Sequence, residues 1–322
     1  MSVKTIGVLT SGGDAPGMNA AVRAVVRAAL KKDMKVLGVM RGYNGLINGD
    51  MVEMNMRSVS DIIQRGGTIL YTARCKEFRE MEGVLKAKEM CQKVGMDGLV
   101  VIGGDGSFRG AGDLSSVGIP CVGLPGTIDN DIACTEYTIG YDTAMNTAVE
   151  MVDKIRDTAQ SHDRCSVVEV MGRRAGYLAL NVGIACGATS IIVPEIPFDF
   201  EKDIIERMFA TSATGKKHFI IIVAEGVGHV IEMSEKIQAR TGIETRATIL
   251  GHVQRGGSPS LRDRVLASEM GYHAVLLLLD GKSNRVVTIQ NDHILDYDIE
   301  EALQMKKPFD FELYRMAHEI SI

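Results

Sequence analysis

The 322-residue chain reads as an α/β protein of parallel sheet covered by helices. Two observations predict this. Short apolar runs alternate with stretches whose apolar residues recur at helical spacing, and two of the runs open into glycine-hinged loops that carry carboxylates. The first run, Ile6–Leu9, leads into Ser11-Gly12-Gly13-Asp14. The helix expected next places Met18, Ala21, Val22, Val25, Val26, Ala29 and Leu30 on an inward face, with Arg23 and Arg27 outside. Further strands are expected at Val36–Met40, Gly98–Ile102, Cys121–Leu124, Ser166–Val170, Ser190–Val193, Phe219–Val223 and Val286–Ile289. The stretch from Leu178 to Val193 is broken by Asn181, Thr189 and Ser190, so it reads as a buried helix and strand instead of a bilayer span.

Composition narrows the function classes. A chain that is 45% hydrophobic and 24% charged can bury one large core or two ordinary domains. A net charge of -5 and a pI near 5.9 argue against a nucleic-acid footprint, which needs a concentrated basic face. Any local cluster of cations is therefore expected to serve small anions. Cys75, Cys91, Cys121, Cys134, Cys165 and Cys186 are spread without a CxxC pair, which suggests reduced thiols and a cytoplasmic location in place of zinc or disulfides. The first residues run straight into Lys4–Leu9, and no signal peptide is expected. There is no low-complexity segment, charge run or short repeat; the strand-then-loop pattern at Gly12–Asp14 and again at Gly103–Asp105 hints at two similar units.

The chemistry concentrates in two loops, Gly103-Gly104-Asp105-Gly106-Ser107 and Pro125-Gly126-Thr127-Ile128-Asp129-Asn130-Asp131. Phosphoryl transfer needs a metal, backbone donors around a polyphosphate, and a carboxylate that takes the proton of the attacking hydroxyl. Gly103, Gly104 and Gly106 let backbone amides approach phosphates, Asp105 can hold Mg²⁺, and Asp129 is the candidate base. Generic alternatives fail. Gly281-Lys282-Ser283 resembles the end of a P-loop, but Leu276 stands where the first glycine belongs, so Lys282 reads as a turn residue. The loop from Gly104 to Gly110 lacks dinucleotide spacing, and neither GxSxG nor HExxH occurs.

Together with Thr10–Asn19, Val170-Met171-Gly172-Arg173 and Gly251–Pro259, these loops resemble the bacterial ATP-dependent 6-phosphofructokinases, in the family's order and over essentially the whole chain. The resemblance implies two doubly wound, Rossmann-like three-layer αβα lobes. Residues 1–140 with 254–304 would form the nucleotide lobe, and 141–253 with 305–322 the fructose 6-phosphate lobe. It further implies that Gly12, Arg74, Cys75, Gly104, Asp105, Gly106 and Ser107 hold Mg²⁺-ATP, with Asp105 on the metal. Asp129 would accept the proton and, with Thr127, orient the sugar hydroxyl, Ile128 would line the substrate site beside them, and Arg173 and Arg74 would assist the transfer. A guanidinium suits Arg173 because it stays protonated and offers a fork of donors. Fructose 6-phosphate would be bound by Arg164, Met171, Gly172, Glu225, Arg246, His252, Val253, Gln254 and Arg255, with Arg164 and Arg246 supplied by the neighbouring subunit of a homotetramer.

Small residues at Gly106 and Gly126, where pyrophosphate-dependent relatives are bulkier, imply ATP as donor. The effector site for ADP and phosphoenolpyruvate resembles Arg23, Arg27, Arg156, Gly187, Thr189, Lys216, Lys217 and His218. Met56, Thr189 and Thr214 depart from the family's Arg, acid and Lys there, which implies weakened or altered regulation. Two other readings compete: a kinase of the lipid or NAD type, which shares the GGDG loop, and a noncatalytic phosphosugar sensor on the same fold. The TIDND loop and Gln254-Arg255-Gly256-Gly257 count against the first, and the presence of both Asp105 and Asp129 counts against the second.

Overall fold

Each apolar run expected as a strand is one in the computed structural model, which describes residues 3–321. By internal contacts the chain divides into two units. One comprises residues 1–128, 132–143 and 255–307, and the other 129–131, 144–254 and 308–322.

The larger unit is built on a seven-stranded sheet. Its strands are β1 (Thr5–Thr10), β2 (Lys35–Val39), β3 (Met51–Met54), β4 (Gly98–Gly103), β5 (Cys121–Pro125), and two from the chain's last third, Arg285–Gln290 and His293–Asp298. In spatial order the sheet runs His293–Asp298, Arg285–Gln290, β5, β4, β1, β2, β3. It is parallel except at its two edges, where β3 pairs antiparallel with β2 and His293–Asp298 antiparallel with Arg285–Gln290. Those edge strands go beyond the parallel sheet expected from sequence.

One face is covered by α1 (Met18–Leu30) and the long helix Leu261–Leu279. The two helices approach so closely that a Cβ on Gly271 would lie 2.8 Å from Ala24 Cβ and 3.0 Å from the Ala21 carbonyl. The inward face of α1 is as expected, except that Leu30 is only half-buried. The opposite face carries α2 (Tyr43–Asn48), α3 (Met81–Lys93) and α4 (Asp105–Ser116), whose Tyr43, Leu46, Val84, Ala87, Phe108 and Leu114 form one cluster with Leu9, Val39, Leu99 and Val101 of the sheet. Helices on both faces explain why β1, β4 and β5 read as continuous apolar runs. Truncating a ring as deep as Phe108, 1% exposed, costs about 3–5 kcal/mol in such a core.

The smaller unit has a four-stranded parallel sheet made of β6 (Cys165–Val170), β7 (Ser190–Ile192), β8 (Phe219–Ala224) and β9 (Thr245–Ile249), in the order β7, β8, β6, β9. Helix α5 (Tyr141–Ser161) leads into it, α6 (Tyr177–Ala185) packs on β7 and β8, and α7 (Arg207–Ala213) and α8 (Val230–Thr241) follow. Val230, Met233 and Ile237 of α8 bury against Cys165, Val167, Phe219, Ile221 and Val223. Leu178–Val193 is thus helix and strand, and no helix among the described residues is long and apolar enough to cross a membrane.

With the smaller unit's elements placed, the last third supplies α9 (Leu261–Leu279), β10 (Arg285–Gln290), β11 (His293–Asp298), α10 (Ile299–Gln304) and α11 (Phe311–Glu319). Gly281 closes α9 at a φ of +74°, its N–H donating to Leu278 and that of Lys282 to Leu277. Lys282 is accordingly a turn residue.

Candidate active site

In the larger unit the strand order reverses direction at β1: the chain steps from β1 to β2 on one side and returns through β4 to β5 on the other. Loops leaving the carboxyl ends of strands at such a point diverge and open a crevice for ligands. The loops beginning at Ser11, Gly104 and Gly126 leave three neighbouring strands there. Their bases are tied together, since the Ser11 N–H donates to the Ile102 carbonyl at 2.9 Å and the Gly126 N–H to the Gly103 carbonyl at 3.0 Å.

Local sequence explains how each loop is shaped. Gly12 has a φ of +88°, open to glycine and strained for other residues. A side chain on Gly103 would place its Cβ 2.4 Å from Ser107 Oγ and 2.5 Å from the Ser11 carbonyl. Gly104 and Gly106 differ, because a Cβ on either would meet nothing within 4 Å. Packing does not require these two glycines; what their small size preserves is open space at the N-terminus of α4, where backbone N–H groups favour an anion. Asp105 is exposed in that first turn and Ser107 is buried beneath it. Tyr43, buried and stacked on Phe78 at 3.9 Å, fixes the turn by donating its hydroxyl hydrogen to the Ser107 carbonyl at 2.5 Å. Burial holds that phenol well above its ordinary pKa, so it remains a donor.

Arg74 and Cys75 arrive on the segment that crosses β1. Thr10 Oγ1 donates to the Tyr71 carbonyl at 2.8 Å, and Thr72 Oγ1 donates to the Gly12 carbonyl at 2.8 Å. Arg74 is exposed and Cys75 half-buried. Arg255 reaches the same edge, donating from Nη1 to the Asp14 carbonyl at 3.0 Å. Gly126 has a packing role: its Cβ would press on Ile102 Cγ2 at 3.0 Å and Met18 Cε at 3.2 Å. Thr127, Ile128 and Asp129 follow β5 and are all buried, Asp129 at 6% exposure. Only Ile128 separates Asp129 from Thr127, so their Cα atoms lie within about 7.6 Å of one another whatever the turn.

Among the described residues no three acidic, histidine or cysteine side chains cluster as a metal cage. One exposed carboxylate beside open backbone donors fits Mg²⁺, which keeps most of its waters and is carried in by phosphates.

The expected sugar-phosphate residues from Arg164 to Gln254 lie in the smaller unit and, with Arg255 next in the chain, separate into two groups. Met171–Arg173, Glu225 and the 3-10 turn Gly251–Arg255 follow the carboxyl ends of β6, β8 and β9. Gly172, at a φ of +143°, has no room for a Cβ, which would sit 2.6 Å from the Ala175 carbonyl. Arg173 itself has a φ of +59°, held by its N–H donating to Glu225 Oε2 at 3.0 Å. Gln254 is fully buried and its Oε1 accepts from the Met171 N–H at 2.9 Å, while His252 and Val253 are exposed beside it.

The family description Phosphofructokinase matches residues 5–278. The chain belongs to the phosphofructokinase family. It is 59% identical to the ATP-dependent 6-phosphofructokinase of Clostridium botulinum (strain Loch Maree / Type A3), across 99% of this chain and 100% of that one. It is 56% identical to that of Bacillus cytotoxicus, again across 99% of this chain and 100% of that one. Among solved structures, Pichia pastoris phosphofructokinase in the T-state superposes with a TM-score of 0.89 at 39% identity, covering 94% of this chain and 36% of that one. This phosphofructokinase thus spans about a third of the yeast chain. A pyrophosphate-dependent phosphofructokinase from Marinobacter aquaeolei shares the fold, with a TM-score of 0.86 at 22% identity over 99% of this chain and 92% of that one.

The second group of residues in this phosphofructokinase lies at the amino ends of the smaller sheet. Arg164 precedes β6 and Arg246 is the second residue of β9, and both pair with Glu244, at 2.8 Å and 2.6 Å. These two arginines hold the Glu244 carboxyl below its usual range. A β6 of six residues spans about 20 Å, so Arg164 and Arg246 do not converge with Arg173, Glu225 and Gln254 of the same chain.

Arg156, Gly187, Lys216, Lys217 and His218 also lie on this amino side, before β7 and β8 or on α5. Arg156 Nη2 donates to the Cys186 carbonyl. Burial first, then the charge of Arg156, holds Lys216 below the ordinary ammonium range; burial, Lys216 and Arg156 together lower His218. The neighbouring cations add to burial in both cases, and Asp163 partly opposes them at His218. Thr189 is fully buried, its N–H donating to the Ile220 carbonyl and its own carbonyl accepting from Arg207 Nε at 3.0 Å. Arg23 and Arg27 stand on α1 of the larger unit, and Arg23 is lowered by burial and by Arg27.

Sequence reasoning missed Asp263, Thr143 and Thr138. Asp263 is fully buried with its carboxylate on the Gly140 and Thr143 N–H groups, and Thr138 Oγ1 donates to the Thr127 carbonyl at 2.7 Å. The local spacing Ser260-x-x-Asp263 signals a helix start, but not the distant partners.

Proposed function

We propose that this chain transfers the γ-phosphoryl group of ATP to the 1-hydroxyl of D-fructose 6-phosphate, giving fructose 1,6-bisphosphate and ADP. The observation that carries the reading is the arrival of Gly12, the Gly104–Ser107 turn and the Thr127–Asp129 loop at neighbouring strand ends where the order reverses. The larger unit then serves the nucleotide and the smaller one the sugar phosphate. Backbone donors at Gly12 and the start of α4, with Ser107, Arg74 and Cys75, hold the nucleotide. Asp105 is the residue placed to carry Mg²⁺, which when bound neutralises charge on the β- and γ-phosphates. Asp129 accepts the proton of the 1-hydroxyl and with Thr127 orients it, Ile128 lying between them in the substrate loop. Arg173 and Arg74 offset charge on the transferring group, and Met171, Gly172, Glu225 and His252–Arg255 hold the sugar phosphate.

The open space at Gly104 and Gly106 supports ATP as donor, and the small residue at Gly126 agrees with it, although a Cβ there would also crowd Ile102 and Met18. The distance along β6 supports a homotetramer in which Arg164 and Arg246 complete the site of a neighbouring copy. The decisive experiment is a coupled assay of the purified protein with fructose 6-phosphate and Mg²⁺. Turnover is expected with ATP and not with pyrophosphate; the reverse overturns the assignment.

Nucleotide binding near Cys75 has a separate readout. The other five cysteines are buried, and burial pushes the thiols of Cys134 and Cys186 up to about 11 and those of Cys91 and Cys165 to about 12, which leaves roughly 10⁻³ or less as reactive thiolate near pH 8. A maleimide should label one thiol per native chain, mapped to Cys75 by mass spectrometry, and Mg²⁺-ATP should slow it at least about fivefold.

The basic cluster at Arg156, Lys216 and His218, with Gly187, Thr189 and Lys217, is read as an effector site for ADP and phosphoenolpyruvate, and Arg23 and Arg27 of the larger unit are read as further effector-binding residues. Because Thr189 is buried and carries no charge, and Met56 and Thr214 replace expected cations, effectors should act weakly. Titrating ADP and phosphoenolpyruvate against initial rate checks this, and strong sigmoidal control at micromolar effector would contradict it.

A further inference from the structure

Asp263 lies outside every loop read as catalytic, yet its carboxylate accepts three hydrogen bonds from residues 120 and more positions away in the chain. It is 0% exposed. Its Oδ1 accepts from the Gly140 N–H at 2.9 Å, and its Oδ2 accepts from the Thr143 N–H at 2.9 Å and from Thr143 Oγ1 at 2.5 Å. It thereby caps the start of α5 from a different helix, where a negative charge meets unpaired N–H groups. Thr143 Oγ1 in turn accepts from the Ser260 N–H at 2.9 Å, and Ser260 Oγ accepts from the Asp263 N–H at 3.2 Å. These bonds close a ring of Asp263, Thr143 and Ser260.

What the ring holds is the site. Immediately before Gly140, the Ile139 N–H donates to the Pro125 carbonyl at 2.8 Å and Thr138 Oγ1 to the Thr127 carbonyl at 2.7 Å, two residues from Asp129. Gly140, at a φ of +103°, presses against the loop after β1, since a Cβ there would lie 2.7 Å from Ala15 Cβ. On the other side of Ser260, Arg264 donates to the Pro259 carbonyl at 2.7 Å and to Ser258 Oγ at 2.9 Å, fixing the segment that begins at Arg255. The loop after β1, the loop after β5 and the Arg255–Ser260 segment therefore share one anchor.

We infer that Asp263, acting through Thr143 and Gly140, is a positioning residue that sets the Thr127–Asp129 loop for phosphoryl transfer. The inference rests on the function proposed above. Small displacements of a reacting group can lower rates about a hundredfold, so the anchor acts on turnover more than on ligand affinity. An asparagine cannot replace the acid, because donors face both oxygens and an amide nitrogen would oppose one of them.

The test compares Thr143→Val, Thr143→Ser and Asp263→Asn. Thr143→Val should lower kcat at least about tenfold with nucleotide affinity changed less than threefold. Thr143→Ser should restore kcat to within about twofold, because the hydroxyl alone carries the bond. In parallel, amide exchange of the peptide covering residues 126–141 should accelerate in Thr143→Val and Asp263→Asn but not in Thr143→Ser. Wild-type turnover reports on the proposed activity, whereas exchange reads the anchor even in an inactive protein. Unchanged exchange, or a Thr143→Val enzyme with wild-type kcat, overturns the inference; if Asp263→Asn fails to fold, the Thr143 pair decides.

Discussion

Replacing Asp129 with Ala should lower kcat at least about a thousandfold while the protein stays folded and binds nucleotide with unchanged affinity. General-base catalysis alone contributes about 10²- to 10⁴-fold, and loss of a hydrogen bond that orients the hydroxyl adds to it. Asp129→Asn separates these contributions, since the amide keeps the shape and one hydrogen-bonding oxygen but cannot accept the proton. Its kcat should fall nearly as far as that of the Ala variant, with the Michaelis constant for fructose 6-phosphate less disturbed. Because Asp129 is 6% exposed, a melting curve must accompany each assay. Removing a buried carboxylate without its hydrogen-bonding donors costs about 1–3 kcal/mol, too little to unfold a chain with a core of this size. A loss of less than tenfold in both variants would show that another group takes the proton.

The parts of this molecule that can be read from its sequence are those decided locally. Strands buried on both faces, such as Gly98–Gly103 and Phe219–Ala224, must be apolar throughout, and they were visible as runs. The strands that escaped, β3, β9 and β11, are edges. The sequence Met-Val-Glu-Met exposes Val52 and Glu53, and His293–Asp298 alternates with Asp296 and Asp298, so neither presents a continuous apolar signal. The loop glycines were equally legible, because Gly12, Gly103 and Gly172 answer to backbone geometry and steric closeness. Gly126 carries a second constraint that the sequence does not disclose: a Cβ there would crowd Ile102 Cγ2 at 3.0 Å and Met18 Cε at 3.2 Å. Nonlocal facts lay beyond reach. No spacing rule joins Asp263 to Gly140 over 123 residues, and only the parallel pairing of β9 with β6 reveals that Arg246 joins Arg164 at the end of the smaller sheet opposite Arg173.

Arg173 should show stability and activity moving in opposite directions. A left-handed φ of +59° costs a residue with a Cβ about 1–2 kcal/mol, and glycine relieves that at an unfolded-state entropy penalty of about 0.5–1 kcal/mol. The difference favours Arg173→Gly by up to about 1.5 kcal/mol, because the exposed side chain gives up no buried packing. Its N–H remains available to Glu225 Oε2, so the loop keeps its anchor. Turnover should nonetheless fall about 10²- to 10³-fold, the size seen when one preorganised donor to a developing charge is lost. Arg173→Lys should fall between the two, since it keeps the charge and the strained backbone but loses the planar fork. Strain maintained at a position where glycine would be more stable is a mark of selection for the side chain. Melting temperature and kcat measured on the same preparations decide it: a glycine variant that is both less stable and fully active would leave the positive φ of Arg173 without a functional reason.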